Sequence, residues 1–270
     1  MQITDYQAYG KDLKQIFKLP TMPVAVRFFE KEEDVPEGVI FPLRDLGKHM
    51  AFCQAVTCAR KAGTAIALRK EDEWCWNPLV GFGRVSCKPG EAAFDEIVKV
   101  LGIDDRQKAE EFLDAFPKLE LGKYAVTALA PLEKTPFEPD VVLIYGLPGT
   151  VNRMFLLEKA MTGKHIHSIF DGIDSCVYST VPSFLTGECR VTFPDPGDQE
   201  RAGASPDEVI FTLPKERLTP FVERARAGAR FTPPPAAIPP ELELDFARPP
   251  FYNTLYELWG LEKGKDWSFG

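Results

Sequence analysis

The chain has 270 residues, 44% of them hydrophobic, so it can bury a sizeable core in one large domain or in two modest ones. Its formal net charge is −8 at pH 7, and acidic residues lie between its scattered lysines and arginines. This balance argues against nucleic acid and anionic membranes as the main partners, because binding to phosphate groups needs a basic face.

The sequence also predicts a compartment. The N-terminal residues are polar and contain no apolar segment of the kind found in secretory signals. No run approaches the ~18 to 20 apolar residues that a membrane helix needs. We therefore expect a cytoplasmic protein, in which thiols stay reduced. Its six cysteines are then expected to be ligands, catalysts or core residues and not three disulfides.

In the first half of the chain, hydrophobic periodicity predicts helices at residues 4–19, 49–61, 92–101 and 107–116, and strands at residues 23–29, 64–68 and 124–130. The strand at 64–68 is apolar throughout, which is typical of the centre of a sheet. On the helix at 49–61, Cys53 and Cys58 lie about 140° apart, so they cannot both bind one metal ion. Residues 71–83 are predicted to form a loop.

In the second half, the same patterns predict strands at residues 141–145, 166–170, 188–193 and 208–213, and helices at residues 152–161, 173–185 and 214–227. Pro182 should kink or shorten the helix at 173–185. Residues 194–206 are predicted to form a polar loop. Together these elements predict an α+β (mixed α/β) body of residues 1–229, with a central mixed sheet flanked by helices.

The composition changes at residue 230. Residues 230–270 form a predicted C-terminal arm that begins with an extended, Pro-rich stretch and ends in a short aromatic helix at 252–261. The arm carries eight aromatic residues, which is too many for a free tail. We expect it to pack on the body or on a second copy of the chain, which would make the protein a homo-oligomer.

Five short motifs follow one another along the chain: LPTMPVAVRF, FCQAV, EDEWC, DSCVYST and GDQERAGASPDEVIFTLPKERL. In this order they resemble the uncharacterised archaeal cysteine-rich (ArCR) family, a domain of unknown function found in archaea and in many anaerobic bacteria. The resemblance covers about residues 19–227. It implies that Cys53, Cys75 and Cys176 are characteristic cysteines of the family and that Cys58 and Cys87 are additional. It implies no reaction.

The cysteines themselves favour a thiolate-metal site. Their intervals match neither a zinc ribbon nor a ferredoxin, so the ligands would have to converge from distant segments. Two indole rings flank Cys75 and would keep water and oxygen from a cluster. Cys176 lies near a predicted helix N-terminus, where a thiolate is favoured. We predict a [4Fe-4S] cluster that is bound by Cys53, Cys75, Cys176 and Cys189, with Cys58 as a reserve ligand. Trp74, Trp76 and Arg60 are the predicted cofactor-binding residues.

A second interpretation of the cysteines needs no metal. Free cysteine is among the most buried residue types and often only fills the core. Cys189 alternates with Val191 and Phe193, as a core residue on a strand would. The two interpretations stay open for the set as a whole.

The predicted function is therefore that of an iron–sulfur protein of anaerobic metabolism, which transfers electrons to a redox partner or activates a small substrate. The alternative is a metal-free small-molecule-binding or regulatory protein. Trp74, Trp76 and Phe82 would line its apolar pocket. A carboxylate or phosphate group of the ligand would be bound by Arg60, Arg84 or Arg190.

A third hypothesis is a cysteine-nucleophile enzyme. Its nucleophile would be Cys176, activated at the start of a helix. The base would be His165 or His167, which lie on the same face if residues 166–170 form a strand. Such a pair is more often an exposed strand face.

Overall fold

The computed structural model describes residues 2–228 and 251–261. Contacts divide the chain into two units, Met1–Phe231 and Thr232–Gly270. The predicted division into a body of residues 1–229 and an arm of residues 230–270 stays a prediction, because residues 229–250 and 262–270 lie outside the described part.

A six-stranded sheet forms the middle of the first unit. Its strands, in chain order, are Val24–Phe29 (β1), Ile66–Leu68 (β2), Val126–Pro131 (β3), Val141–Gly146 (β4), Arg190–Thr192 (β5) and Val209–Pro214 (β6). They are arranged as β2-β3-β1-β4-β6-β5, and each neighbouring pair is antiparallel. The predicted α+β class is confirmed. The sheet is antiparallel and not mixed, although an isolated parallel bridge joins Ile40 to Ile66.

Helices cover both faces of this sheet. In chain order they are Ile3–Phe17 (α1), Pro42–Leu46 (α2), Phe52–Thr57 (α3), Trp76–Gly81 (α4), Ala92–Val100 (α5), Arg106–Asp114 (α6), Pro148–Thr162 (α7), Ser175–Tyr178 (α8), Val181–Thr186 (α9), Pro196–Ala202 (α10) and Lys215–Arg226 (α11). Helices α1, α7 and α11 pack on one face. Helices α3, α4, α5, α6, α8 and α9 pack on the other. None of the described helices is both long enough and apolar enough to cross a membrane.

The alternation of strand β1 explains these two layers. Successive side chains of a strand point to opposite faces. Val24, Val26 and Phe28 therefore contact the layer that contains α3 and α4, while Ala25 and Phe29 contact the layer of α1, α7 and α11. Because both sets are apolar, the strand is buried on both faces.

Strand β2 was predicted at the centre of the sheet, and this is wrong: it is an outer strand. Its side chains are nevertheless buried, because the main chain at Ile40 runs along its free side. The N–H of Ala67 donates to the carbonyl of Ile40 at 2.8 Å, and the N–H of Ile40 donates to the carbonyl of Ala65 at 3.1 Å. Because main chain covers this edge of the sheet, the side chains of β2 can be as apolar as those of a central strand.

Five other segments differ from prediction. Residues 166–170 form no strand. The predicted helix at 173–185 is divided into α8 and α9, and Pro182 lies in the first turn of α9, where its missing N–H costs nothing. Helices α4 and α10 occupy segments predicted as loops. Helix α3 ends at Thr57 and continues as a π-helical turn over Cys58–Ala62.

In the second unit, residues Phe251–Trp259 form helix α12. A helix was predicted at 252–261, so its existence is confirmed. The Pro-rich stretch that precedes it lies outside the described residues. The predicted packing of the arm stays a prediction.

A candidate site lined by three cysteines

Three of the four predicted ligands line one cavity of about 380 Å³. Cys53 lies in the first turn of α3, Cys75 immediately precedes α4, and Cys176 lies in α8. These segments are far apart along the chain, and all three belong to the helical layer on one face of the sheet. The predicted convergence of distant thiols is present for these three residues.

Helix α4 packs closely on α8, and the segments of both helices line the cavity. Gly81 in α4 has no side chain, and a Cβ there would lie 2.5 Å from Cγ2 of Val177 in α8. That distance is shorter than any van der Waals contact. The glycine therefore allows the two short helices to approach each other, and each helix carries one of the cysteines.

A buried carboxyl group orders the segment of Cys75. Oε1 of Glu73 accepts hydrogen bonds from the N–H of Trp74 at 3.1 Å and of Cys75 at 3.0 Å. Glu73 thus orders the loop at the start of α4. The segments of Cys53 and Cys75 are joined through the main chain, where the N–H of Met50 donates to the carbonyl of Asp72 at 2.9 Å.

A second carboxylate orders the segment of Cys176. Asp195 Oδ2 accepts hydrogen bonds from the N–H of Ser175 at 2.9 Å and from its hydroxyl at 2.8 Å. Oδ1 of the same side chain caps α10 by accepting the N–H of Asp198 at 2.8 Å. The sequence holds the signals of this helix, with an aspartate cap, Pro196 in the first turn and Gly203 after the end. The prediction of a loop at residues 194–206 did not take these helix signals into account.

The walls of the cavity are largely apolar. The predicted cofactor-binding residues Trp74 and Trp76 both line it, together with Ile173 and prolines. The guanidinium of Arg201 lies over the indole of Trp74, 5.1 Å from the ring centroid. Arg201 is the only basic residue among the described residues that line the cavity. No sequence pattern singled out Arg201, because it lies on a helix that was not predicted.

The three thiols are poor acids in this setting. Burial raises the pKa of Cys75 to about 11. Burial also raises the pKa of Cys53, with a further contribution from Asp198 and Asp195, and the pKa of Cys176, with a further contribution from Cys75 and Asp195. At neutral pH all three are therefore neutral thiols unless a cation binds them.

Two buried carboxyl groups next to the cysteines have raised pKa values as well. Burial and the neighbouring Asp171 raise the pKa of Asp174 to about 9. Burial raises the pKa of Asp198 to about 6. Among the described residues, Asp174 Oδ2 and Asp198 Oδ1 have no hydrogen-bond partner. Neither group is among the described residues that line the cavity, and at neutral pH the Asp174 carboxyl is protonated and uncharged.

The fourth predicted ligand, Cys189, does not join the others. It is 4% exposed and packs in the core on the opposite face of the sheet. Its neighbours there include Glu158 and Arg217, and it lines a separate cavity of about 210 Å³ with His165 and His167. The strand that was to align these histidines is absent. Neither Cys58 nor Cys87 lines the three-cysteine cavity; both pack in the core on its face.

Arg60, predicted to bind the cofactor, does not line the cavity either. Its guanidinium is buried in a bidentate ion pair with Glu208, at 2.8 and 3.1 Å, and lies 3.9 Å from the ring centroid of Tyr145. A guanidinium that is 1% exposed needs such a counter-ion. The hydroxyl of Tyr145 donates to Asp198 at 2.8 Å, so this buried network extends to a carboxyl group near Cys53.

The cysteines do not form a ready-made site for a single ion. Across residues 2–228 and 251–261, no group of three or more His, Cys, Asp or Glu side chains is arranged to hold a metal ion. No histidine is among the described residues that line the three-cysteine cavity.

Comparison with known proteins places this sequence in a family. The sequence model of the family described as Uncharacterised ArCR (DUF169) matches residues 12–224, which include all three cavity cysteines. The uncharacterized protein MJ0308 of Methanocaldococcus jannaschii is 27% identical over 225 residues, which cover 83% of this chain and 94% of that protein. No solved structure matches the chain. As the order of its motifs predicted, the chain belongs to the uncharacterised ArCR family.

Proposed function

We propose that the cavity binds an iron–sulfur cluster through Cys53, Cys75 and Cys176, and that the protein uses it to activate a small substrate or to transfer electrons in anaerobic metabolism. The observation that supports this is the meeting of three thiols from distant segments in one cavity. Thiolates are soft ligands, which select iron–sulfur clusters, zinc or copper(I) over hard cations.

We propose a cluster in place of a single ion. Ligands of one ion must crowd around it, and no such group is found among the described residues. In a cluster each thiolate binds a different iron, so the sulfurs stand farther apart. With Cys189 on the other face of the sheet, three thiolates would leave one iron of a [4Fe-4S] cluster without a cysteine. A small substrate would bind at that position.

The surroundings suit such a cluster. The half-buried indole of Trp76 would shield a cluster from water, which tunes its potential, whereas Trp74 and Ile173 are 44% and 48% exposed. Arg201 would bind the anionic group of a substrate, since a guanidinium held on an aromatic ring keeps its N–H donors available. The substrate class would then be a small carboxylate or other oxyanion.

A metal-free small-molecule-binding protein is the second candidate, and one observation favours it. The cavity volume of about 380 Å³ falls within the usual range of ligand pockets, and its lining is largely apolar. The nucleophilic hypothesis has less support, because burial raises the pKa of Cys176 and no histidine lies among the described lining residues.

Anaerobic purification followed by a visible spectrum and by assays for iron and sulfide separates the two candidates. We expect a coloured protein with iron and sulfide in equal amounts. Protein that stays colourless and iron-free after anaerobic reconstitution would contradict the cluster and favour the binding protein. As a matched pair, Cys75→Ser should lose most of its iron and Cys87→Ser should keep it, since Cys87 lies outside the cavity.

A further inference from the structure

Asn77 is a buried polar side chain among the largely apolar walls of the three-cysteine cavity, and it is 5% exposed. Its Nδ2 donates a hydrogen bond to Oδ1 of Asp174, which is 0% exposed. Asn77 lies in α4, and Cys75 immediately precedes this helix. Asp174 immediately precedes α8, which contains Cys176. The bond therefore links two cysteine-bearing segments that are far apart along the chain.

This hydrogen bond lies at one end of the contact between α4 and α8. Asn77 and Gly81 are four residues apart, so they lie on the same face of α4. The N–H of Val177 donates to the carbonyl of Asp174 at 3.1 Å, so these two residues belong to one turn. The Asn77–Asp174 bond joins the starts of both helices, and Gly81 approaches Val177 about one turn later. The helices therefore run in the same direction, and their starts, where the cysteines lie, meet at this bond.

We propose that the hydrogen bond between Asn77 and Asp174 fixes α4 in register with α8 and so positions the two cysteines that these segments carry. The missing side chain at Gly81 lets the helices approach, but an apolar contact has no preferred direction. A hydrogen bond weakens steeply when its donor and acceptor move out of line, so it defines one placement. The proposal rests on the proposed function, because both cysteines would bind the cluster.

The third cavity cysteine is held by a different contact. Cys53 lies on α3, which packs on α10. The hydroxyl of Thr57 in α3 donates to the carbonyl of Ala202 in α10 at 2.7 Å. Loss of the Asn77–Asp174 bond should therefore loosen the segments of α4 and α8 and leave Cys53 in place, as a control within the same cavity.

The first measurement needs no metal. Full-length, metal-free wild-type protein and its Asn77→Ala and Asp174→Ala variants are alkylated with iodoacetamide, and the rate at each cysteine is followed by mass spectrometry. In both variants the rates at Cys75 and Cys176 should rise about tenfold relative to Cys87, because a buried polar group left without its partner favours local opening. The rate at the third cavity cysteine should keep its wild-type ratio to Cys87. Unchanged ratios at all three cavity cysteines, or the same rise at all three, would overturn the proposal.

Two control variants separate the hydrogen bond from a general loss of packing. Asp174→Asn keeps an acceptor oxygen for the amide of Asn77, so its ratios should stay at the wild-type value. Asn152→Ala makes the same substitution at an exposed position on α7 and should also behave as wild type. If Asp174→Asn alkylates as fast as Asp174→Ala, the hydrogen bond does not position the cysteines and the proposal fails.

A variant that combines Asn77→Ala with Asp174→Ala tests whether the two residues act through one bond. In that case its alkylation ratios change no more than those of either single variant. Changes that multiply would show that the residues act separately and would contradict the proposal. Should Asn77→Ala fail to fold by circular dichroism, Asn77→Leu takes its place, because leucine fills a similar volume without a hydrogen-bond donor. A folded Asn77→Leu with wild-type ratios would overturn the proposal equally.

The second measurement links the hydrogen bond to the cluster. After anaerobic reconstitution, Asn77→Ala should retain its iron about 10- to 100-fold less tightly than wild type in competition with a chelator, and Asp174→Asn should behave as wild type. If the wild-type protein takes up no iron, the proposed function fails, and the alkylation ratios still decide the role of the pair. If wild type and Asn77→Ala retain iron equally, the positioning role fails and the cluster stands.

Discussion

At the scale of single residues, the pKa values of the three cavity thiols determine how cluster binding should depend on pH. A metal binds the thiolate, so each thiol has to lose its proton when the cluster assembles. Burial raises the pKa of Cys75 to about 11 and also raises that of Cys53 and Cys176. Protons therefore compete with the metal throughout the range below pH 11, and they compete more strongly as the pH falls.

We accordingly predict that cluster retention improves with rising pH between 6 and 8.5. Absorbance of the reconstituted protein is followed in the presence of a fixed concentration of chelator. The apparent affinity should rise by up to about tenfold per pH unit for each thiol that must lose a proton. A retention that does not change across this range would show that the thiols do not bind the metal.

The buried Arg60–Glu208 pair gives a second prediction at this scale. Glu208→Gln would leave the Arg60 guanidinium buried without its counter-ion. Removal of one partner from such a pair typically costs about 3–5 kcal/mol, so the urea midpoint should fall strongly. Because neither residue lines the cavity, the folded fraction should still bind iron. A variant that keeps wild-type stability would show that the pair contributes little to folding.

At the scale of elements, we infer that the close contact between α4 and α8 positions Cys75 relative to Cys176. We predict that Gly81→Ala pushes these helices apart, since the new Cβ would meet Val177 at 2.5 Å. The expected cost is about 1–3 kcal/mol of unfolding free energy, together with a loss of iron. Urea denaturation and an iron assay measure the two effects.

Gly149→Ala is the matched control for that substitution. Gly149 lies in the first turn of α7, and a Cβ there would meet nothing within 4 Å. The same substitution should therefore be neutral or slightly stabilising, because alanine has the higher helix propensity. If Gly81→Ala behaves like Gly149→Ala in both assays, the close packing does not position the cysteines.

Elements with long, regular patterns were predictable from the sequence. Helices α1, α7 and α11 and strands β1, β3 and β4 follow hydrophobic periodicity closely, and the structure confirms them. Short elements were not. Helix α4 has six residues and α8 has four, too few for a periodic pattern to emerge. Helix α10 did carry cap signals, but its polar composition resembles a loop.

At the scale of the whole molecule, the candidate site could be predicted only in part. The order of motifs singled out Cys53, Cys75 and Cys176, and these are the three that line one cavity. Spacing along the chain could not exclude Cys189, because its side chain faces a core that only the assembled sheet defines. Asp195 and Arg201 were missed for the same reason: their roles depend on segments that meet only after folding.

The central claim is that three thiols bind a cluster and the other three do not. The most direct test is the iron content of six single Cys→Ser variants after identical anaerobic reconstitution. We predict that Cys53→Ser, Cys75→Ser and Cys176→Ser each lose most of their iron, whereas Cys58→Ser, Cys87→Ser and Cys189→Ser keep the wild-type amount. Equal iron in all six variants, or a loss in Cys189→Ser with full iron in Cys176→Ser, would contradict the account.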